Sequence, residues 1–360
     1  MVRWRSGTVQ AVRRSWHGAV ELEVSTGDGP LRALAYPDLV GSPEPGDRVL
    51  LNVGALVMGL GTGGYALVVA LPDRLPADPA GDGATRDNGH LVKARYTPLQ
   101  AIRLGVDEEA SPYREVLAAA ESIDGMPVVT ADLHSALPAI LAGVHADRPD
   151  ARVAYLMTDG GALPAWFSRT LDGLRGHLAG TVTTGQAFGG DLEASTVHTG
   201  LLAARHVLHA DVTIVAQGPG NLGTGTTWGF SGVALGEAVN AVAVLGGRPV
   251  GSLRISDGDG RERHRGVSHH SLTAYGKVAL VPADLPVPDG LEPELAALVD
   301  AALAPLSGRH RLVRVATGGL DAALRAAPVP LSTMGRKLDQ DHGYFLAAAA
   351  AGRHAAALLA

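Results

Sequence analysis

Short hydrophobic runs separated by turn-forming residues occupy the first seventy positions of the chain. Turn residues such as Pro45-Gly46-Asp47 separate neighbouring runs. The runs predict five strands, at 7–11, 19–25, 31–36, 48–53 and 65–71. Five short strands in one continuous segment are typical of a small β-barrel, which we predict over residues 1–72.

The pattern changes after this segment. Residues 73–89 are rich in Pro, Asp and Gly and carry no hydrophobic period, which predicts a linker. From residue 90 onward, apolar runs alternate with helical stretches, so residues 90–360 are predicted to form an α/β domain with a mainly parallel sheet flanked by helices. The predicted strands are 127–131, 152–157, 180–184, 212–216, 249–255, 277–281 and 312–316, and the predicted helices are 136–144, 163–178, 196–209, 233–245 and a C-terminal helix from Tyr344.

Six of the fifteen residues from Gly218 to Gly232 are glycine, directly after a predicted strand. Such a cluster indicates sharp turns or close approach of the backbone to another group, either a ligand or a packed neighbour. Its backbone N–H groups would form an anion cradle at a helix N-terminus. The candidate ligand-binding residues here are Gly218, Gly220, Gly223, Thr224, Gly225, Thr226, Trp228 and Phe230.

Two nucleotide motifs fit this segment imperfectly. Residues 218–223 satisfy G-x-G-x-x-G, with Asp257 after the next predicted strand, but a long loop separates the third glycine from the helix. Residues 220–227 resemble a P-loop in which Thr226 replaces the lysine that meets the phosphates. NAD or NADP is therefore the less favoured cofactor, and a P-loop NTPase is disfavoured.

Unusual polar residues follow the other predicted strands. Since ligands of parallel sheets bind beyond the carboxyl ends of the strands, we expect these residues to line one crevice. The catalytic candidates are Asp132, His134, Asp159, Asp191, His269 and His270; the candidates for a divalent metal are Asp132, His134, Asp159, Asp191 and Glu193; Gln186, Gly189 and Gly190 are further ligand-binding candidates.

Each of these candidates has a structural alternative. Asp132 and Asp159 could be helix N-caps, and His269 with His270 could lie on a surface turn. Because histidine titrates near neutral pH, whichever of the two histidines lies in the crevice is the preferred general base.

Composition and charge exclude several classes of function. The net charge is −6 without a block of Lys or Arg, which argues against a nucleic-acid partner. The chain has no cysteine, which excludes disulfides, thiolate metal sites and a cysteine nucleophile. The N-terminal residues lack a secretory signal and no apolar segment reaches membrane-spanning length, so we expect a cytoplasmic protein without a membrane partner, with the barrel as a possible contact in a homo-oligomer.

Several long motifs match one family in order. They are residues 132–135, 157–164, 185–194, 218–232 and 266–270. With these motifs the chain resembles, over most of its length including the barrel, a bacterial family of unknown function, DUF3866. The resemblance implies a bacterial, cytoplasmic protein and transfers no catalytic roles.

These observations favour an enzyme that acts on a small, anionic molecule by hydrolysis or group transfer. Two alternatives stay open at this point: a non-catalytic sensor or scaffold that binds a metabolite, and a dinucleotide-dependent oxidoreductase.

Overall fold

The chain forms two compact units in a computed structural model that describes residues 2–77 and 89–359. The first unit is Met1–Arg103 with Trp166–Asp172, and the second is Leu104–Ala165 with Gly173–Ala360. Most of the predicted linker, residues 78–88, lies outside the described residues. The first unit is thus longer than the predicted barrel domain, and it includes a short segment that the sequence places in the α/β domain.

The first unit is built on a closed barrel with strand order β1-β2-β3-β5-β4, which confirms the predicted barrel. Its elements are β1 (Trp4–Trp16), β2 (Ala19–Thr26), β3 (Gly29–Ala35), α1 (Pro37–Val40), β4 (Arg48–Asn52), α2 (Gly54–Val57), β5 (Ala66–Ala70), β6 (Leu91–Lys93) and β7 (Ala101–Arg103). Strands β6 and β7 form a separate antiparallel pair.

The long first strand closes the barrel. Strand β1 pairs with β2 along most of its length and with β4 through residues 4–8. Register shifts between Val9 and Ala11 and between Val12 and Arg14 mark bulges, which bend a strand and increase its twist. Alternating apolar residues fill the interior, among them Val9, Leu22, Val24, Val49 and Leu51.

The second unit is an α/β domain. Its elements, with α5 at the boundary between the units, are α3 (Arg114–Ala119), β8 (Pro127–Ala131), α4 (Leu137–Asp147), β9 (Val153–Thr158), α5 (Arg169–Gly173), β10 (Gly180–Thr183), β11 (Leu192–Glu193), α6 (Val197–His206), β12 (Val212–Gln217), α7 (Ala234–Val244), β13 (Arg248–Gly251), β14 (Ile255–Ser256), β15 (Gly266–Val267), α8 (His269–Thr273), β16 (Asp284–Pro288), α9 (Pro293–Leu303), β17 (Arg311–Val315), α10 (Leu320–Arg325), β18 (Ser332–Thr333), β19 (Arg336–Lys337) and α11 (His342–Ala357).

Eight strands form one sheet in the order β11-β10-β9-β12-β8-β13-β16-β17, and all neighbours are parallel. Every residue of β8 and β12 is buried, as expected for central strands covered on both faces. This sheet and its helices confirm the predicted α/β class.

The connections from β8 and β12 run in opposite directions. The chain leaves β8 towards β9 through α4, and it leaves β12 towards β13 through α7. Because parallel crossovers are right-handed, the two helices cover opposite faces of the sheet. Adjacent strands with diverging connections leave a crevice at their carboxyl ends, where ligands of such sheets bind.

Helix α11 packs closely on α4 beneath this edge. A Cβ on Gly143 would lie 1.9 Å from the carbonyl oxygen of Ala349, and one on Gly352 would lie 2.0 Å from that of Ile140. The predicted C-terminal helix therefore exists and is largely buried, although it begins at His342. Throughout residues 2–77 and 89–359, each helix is too short or too polar for a bilayer crossing.

Two predicted elements are wrong. The predicted strand 277–281 begins inside a π-helical turn at Ala274–Val278, and the strand lies later, at β16. Strand β16 contains Pro286 and Pro288, which cannot donate to the sheet and so obscured it in the sequence. The predicted helix 163–178 is reduced to a 3-10 turn and α5, and Gly176 follows with a left-handed φ of 90°.

Candidate functional site

The crevice between β8 and β12 is organised by Gln217, the last residue of β12. Its Nε2 donates to the Asp132 carbonyl oxygen at 2.9 Å and to Asn221 Oδ1 at 3.0 Å. Because both donors are used, Oε1 is the free acceptor, and it is buried without a hydrogen-bond partner among the described residues. Gln217 and Asp132 line the crevice, together with Thr158, Ser231 and the first turns of α7.

Three histidines form a cluster that contacts the Asp132 carboxylate through His270. His264 ends a 3-10 turn, and His269 and His270 open helix α8, whose N-cap Ser268 accepts the backbone N–H of His270. The ring centroids are 4.5 Å apart for His269 and His270, 4.9 Å for His264 and His270, and 5.0 Å for His264 and His269.

Asp132 holds the ring of His270 in place. The His270 Nδ1 lies 3.1 Å from Asp132 Oδ2, and both side chains are almost fully buried. Phe230 stacks on the face of this ring, with centroids 3.8 Å apart and planes inclined by 2°. The imidazole is therefore fixed by a carboxylate at its edge and by an aromatic ring on its face.

A chain of ion pairs continues from Asp132 into the fold. The buried Arg254 guanidinium lies 3.5 Å from Asp132 and 3.4 Å from Asp259. Asp259 also pairs with Arg261 at 2.7 Å and with Arg336 at 3.2 Å, and Arg336 reaches Asp341 at 2.8 Å. Three carboxylates and three guanidinium groups balance one another in this network.

The network shifts the ionisation of the site. Burial opposes the ionisation of Asp132, but the hydrogen bond from His270 and the charge of Arg254 outweigh it, so its pKa lies below the usual value. Burial, together with the nearby Arg254 and Arg261, lowers the pKa of His264 to about 3. Burial and neighbouring positive groups also lower the pKa of His269. Asp132 is thus an anion and the rings of His264 and His269 are neutral at pH 7.

The sequence anticipated part of this site. Asp132, His269, His270 and Phe230, all candidates from the sequence, come together around the ring of His270, whereas His264 was not among the candidates. Its signal was present as a histidine flanked by Arg263 and Arg265 a few positions before the His269-His270 pair. Within the described residues, the group whose ligand atoms lie close enough to hold a metal ion is His264, His269 and His270, and not the predicted set of carboxylates with His134.

His134 belongs to the core. It is buried, and its Nδ1 lies 2.9 Å from the hydroxyl of Tyr155, which donates to the Gln217 carbonyl oxygen. Burial lowers its pKa to about 4, so the ring is neutral. These contacts give His134 a structural role in place of the predicted catalytic one.

The remaining acidic candidates fasten loops. Asp159 accepts the backbone N–H of Gln186 at 2.9 Å. Glu193 accepts the Thr183 hydroxyl at 2.6 Å and the Gly189 N–H at 2.7 Å, and Gly190 N–H reaches Thr183 at 3.2 Å.

Asp191 lies away from the carboxyl edge. Its carboxylate accepts the N–H and the hydroxyl of Thr181, near the start of β10. In the parallel pairing of β10 with β11, Val182 lies opposite Leu192, so Asp191 lies on the amino side of this pair. The chain turns back after β10 so that β11 can pair with it in parallel. This return places Asp191 near the amino end of β10, away from the predicted crevice.

The glycine-rich segment is a small exposed hairpin. Gly223 pairs with Phe230, and the N–H groups of Thr224, Gly229 and Ser231 are bonded within the hairpin. These N–H groups do not form the predicted anion cradle. The dinucleotide motif also fails, since its third glycine, Gly223, pairs in the hairpin well before α7 begins.

The other predicted members of this segment have local roles. A Cβ on Gly218 would lie 2.4 Å from the Ala162 carbonyl oxygen, so this glycine serves close packing. Gly220 and Gly225 have left-handed φ angles at turns, and the hydroxyls of Thr224 and Thr226 lie 3.1 Å apart. Trp228 is 58% exposed beside Lys277, whereas Phe230 is buried against the ring of His270.

One family model, described as "Protein of unknown function (DUF3866)", matches residues 32–352, which include nearly all of the second unit and the part of the barrel from β3 onward. The chain belongs to this family. In this DUF3866 member the match begins within β3 and ends within α11, so it includes Asp132 and all three clustered histidines. No curated protein matches the chain by sequence. Membership in DUF3866 therefore carries no assigned activity, and any function is argued from the site.

Proposed function

We propose that this protein is an enzyme that acts on a small, anionic molecule by hydrolysis or group transfer at the carboxyl edge of the parallel sheet. The pairing of the buried Asp132 with His270 carries the proposal. A carboxylate that accepts the Nδ1–H fixes the tautomer of the imidazole and leaves the Nε2 lone pair available, either to accept a proton or to bind a metal ion. The same device orients the catalytic histidine of hydrolases with unrelated folds.

The charges around the cluster favour an anionic substrate. Arg254 and Arg261 are balanced by carboxylates, but Arg263 adds its charge to the effects of burial and of His270 that lower the pKa of His269. Arg263 is exposed, and a Cβ on Gly225 of the hairpin would lie 3.9 Å from its guanidinium carbon. A cation at this place next to His269 would attract and orient a phosphate or carboxylate.

Hydrolysis and group transfer both require the site to accept a proton from the attacking group. In hydrolysis, the water oxygen forms a bond to the electrophilic atom of the substrate, and the site accepts the proton that the water loses. The bond to the leaving group then breaks, and that group takes up a proton. In group transfer, a hydroxyl or amine of an acceptor molecule takes the place of the water.

The test compares the wild-type protein with Asp132→Asn and Asp191→Asn. Each is assayed against phosphomonoesters, phosphodiesters, phosphoanhydrides and carboxylate-bearing esters and amides. We expect turnover of at least one class, and a loss of about 10²- to 10⁴-fold in kcat for Asp132→Asn, the usual contribution of general acid–base catalysis. Asp191→Asn is the matched control because this carboxylate is exposed and bonded to Thr181.

Two outcomes contradict the proposal. One is equal turnover by wild type and Asp132→Asn, provided that the variant unfolds at the wild-type temperature. The other is absence of turnover across every class while one of the compounds raises the Tm of the wild-type protein through binding. That second result would favour a non-catalytic metabolite-binding protein.

A further inference from the structure

We infer that His264, His269 and His270 bind one divalent transition-metal ion, zinc or an ion of similar coordination chemistry, and that Asp132 acts on this ion as a positioning residue through His270. The inference rests on the proposed function only for the catalytic use of the ion. The binding itself is measured directly.

The three side chains converge on one point. One ring nitrogen from each lies within 4.8 Å of the others. A tetrahedral zinc ion with bonds of about 2.1 Å holds its ligands about 3.4 Å apart. Binding therefore needs the rings to approach one another by at most about 1.4 Å, which small side-chain rotations provide.

Hydrogen bonds set two of the rings for binding. His270 directs Nδ1 to Asp132, and His264 directs Nδ1 to the Ser268 hydroxyl at 2.7 Å. The same Ser268 oxygen accepts the backbone N–H of His270. It therefore holds His264 and His270 close together at the N-cap of α8. With Nδ1 engaged in each ring, Nε2 is the nitrogen left to ligate, as in the carboxylate–histidine–metal arrangement of zinc proteins.

The third ring has a nitrogen that needs a partner. Nε2 of His269 is buried and has no hydrogen-bond partner among the described residues. A buried polar atom of this kind destabilises the fold unless something binds it. A metal ion between the three rings would meet this need, whereas packing of the histidines on one another does not.

The donor set selects the kind of ion. Three imidazoles suit zinc and its neighbours in the transition series, while magnesium and calcium require mainly oxygen ligands. Three protein ligands leave a fourth position open, which is typical of catalytic zinc sites; structural sites have four. An ion with an open position supplies Lewis acidity and lowers the pKa of a coordinated water.

The surroundings are compatible with a bound cation. The buried Arg254, whose guanidinium lies 3.4 Å from His270 Nδ1, is balanced by Asp132 and Asp259. Phe230 stacks on His270 and meets His269 edge-on at 5.8 Å, so an apolar wall shields one side of the cluster. Such a wall limits solvent access to a metal.

The experiment uses the full-length protein without a histidine tag, stripped with a chelator and titrated with Zn²⁺ and with Co²⁺. We expect one equivalent to bind, with the visible absorption of tetrahedral Co²⁺. His264→Ala, His269→Ala and His270→Ala should each abolish this signal. Asp132→Asn, which keeps all three ligands, should weaken the affinity about 10- to 100-fold. The control is His198→Ala, which removes an exposed histidine of α6 and should change nothing.

A readout on the wild-type protein covers the case in which a variant fails to fold. Zn²⁺ should shift the imidazole ¹⁵N resonances of three histidines, with the change at Nε2 of His264 and His270. Binding of no ion, shifts confined to other histidines, or a Co²⁺ signal that survives His269→Ala would each overturn the inference. If the ion binds and no substrate is turned over, the proposed function fails and the metal site stands. If turnover occurs without metal and survives a chelator, the proposed function stands and the ion has no catalytic use, while the titration alone decides whether the metal site exists.

Discussion

The ring of Phe230 lies parallel to the imidazole of His270, with centroids 3.8 Å apart, although forty positions separate the two residues in the chain. Phe230 comes from the end of the glycine-rich hairpin and His270 from the first turn of α8. The hairpin thus contributes to the site through its one buried aromatic side chain, and its glycines serve turns and packing.

Replacing Phe230 by leucine should loosen His270. Loss of the aromatic pair is expected to lower the free energy of unfolding by about 1 kcal/mol beyond the change in buried area. Urea unfolding measures this change, and Trp228→Leu is the control because Trp228 is 58% exposed. Equal effects of the two substitutions would contradict the stacking argument.

Arg263 should contribute to substrate binding more than to the chemical step. With the anionic substrate found in the screen described above, Arg263→Ala is expected to raise KM about threefold, with little change in kcat, because exposed ion pairs are worth up to about 1 kcal/mol. The effect should shrink at high salt. Arg265→Ala removes a neighbour that is also exposed and should leave KM unchanged. A larger fall in kcat than rise in KM for Arg263→Ala would assign this residue a different role.

Asp284 should stabilise the fold in a pH-dependent way. Burial opposes its ionisation, but Arg311 and His354 outweigh this effect and lower its pKa. Asp284→Asn is expected to cost about 2 kcal/mol at pH 7, since hydrogen bonds to charged groups contribute about 1.5–3 kcal/mol.

The direction of the shift determines the pH window. A carboxyl with a lowered folded-state pKa stabilises the protein fully above its unfolded value of about 3.9, and this contribution is lost as the pH falls below it. The difference between wild type and Asp284→Asn should therefore be constant from pH 7 to 5 and shrink below about pH 4. Asp300→Asn, at an exposed pair with Arg314, should have little effect at any pH. A difference that grows on acidification would contradict the assignment.

Gly143→Ala should force α4 and α11 apart. The added Cβ would lie 1.9 Å from the Ala349 carbonyl oxygen, a backbone atom that cannot rotate away. Overpacking of this kind costs about 3 kcal/mol, which exceeds the gain of about 1 kcal/mol in helix propensity. Gly308→Ala meets no atom within 4 Å and should stay within about 0.5 kcal/mol of the wild type. Thermal unfolding of both variants decides the matter, and equal Tm values would refute the close crossing.

Local pattern was sufficient for the architecture, with informative exceptions. The runs that form β8, β9 and β12 are continuous and apolar because both faces of these strands are buried. Strand β16 was misplaced because Pro286 and Pro288 cannot donate to a sheet. Strand β16 pairs with β13 through a single residue pair, Val250 with Asp284. This short pairing does not require the long apolar run that marks a central strand in the sequence.

The rule that ligands bind at the carboxyl edge of a parallel sheet predicted Asp132, His269 and His270, since each follows a strand. It misplaced Asp191, because a loop that returns to form a parallel pair brings its last residues back towards the amino ends of the strands. It did not single out His264, which lies in the same loop as His269 and His270, after the predicted strand 249–255, and belongs to a 3-10 turn there.

The sequence by itself determined the two kinds of architecture, the edge of the sheet at which polar residues gather and the family to which the chain belongs. The architecture and the edge follow from hydrophobic periodicity and turn residues, which act over a few positions, and the family follows from long motifs that match in order. Only the tertiary structure decided that Asp132 meets His270 across 138 positions, that His134 is part of the core and that three histidines share one point. Such contacts depend on strand order and helix packing, which local preferences do not specify.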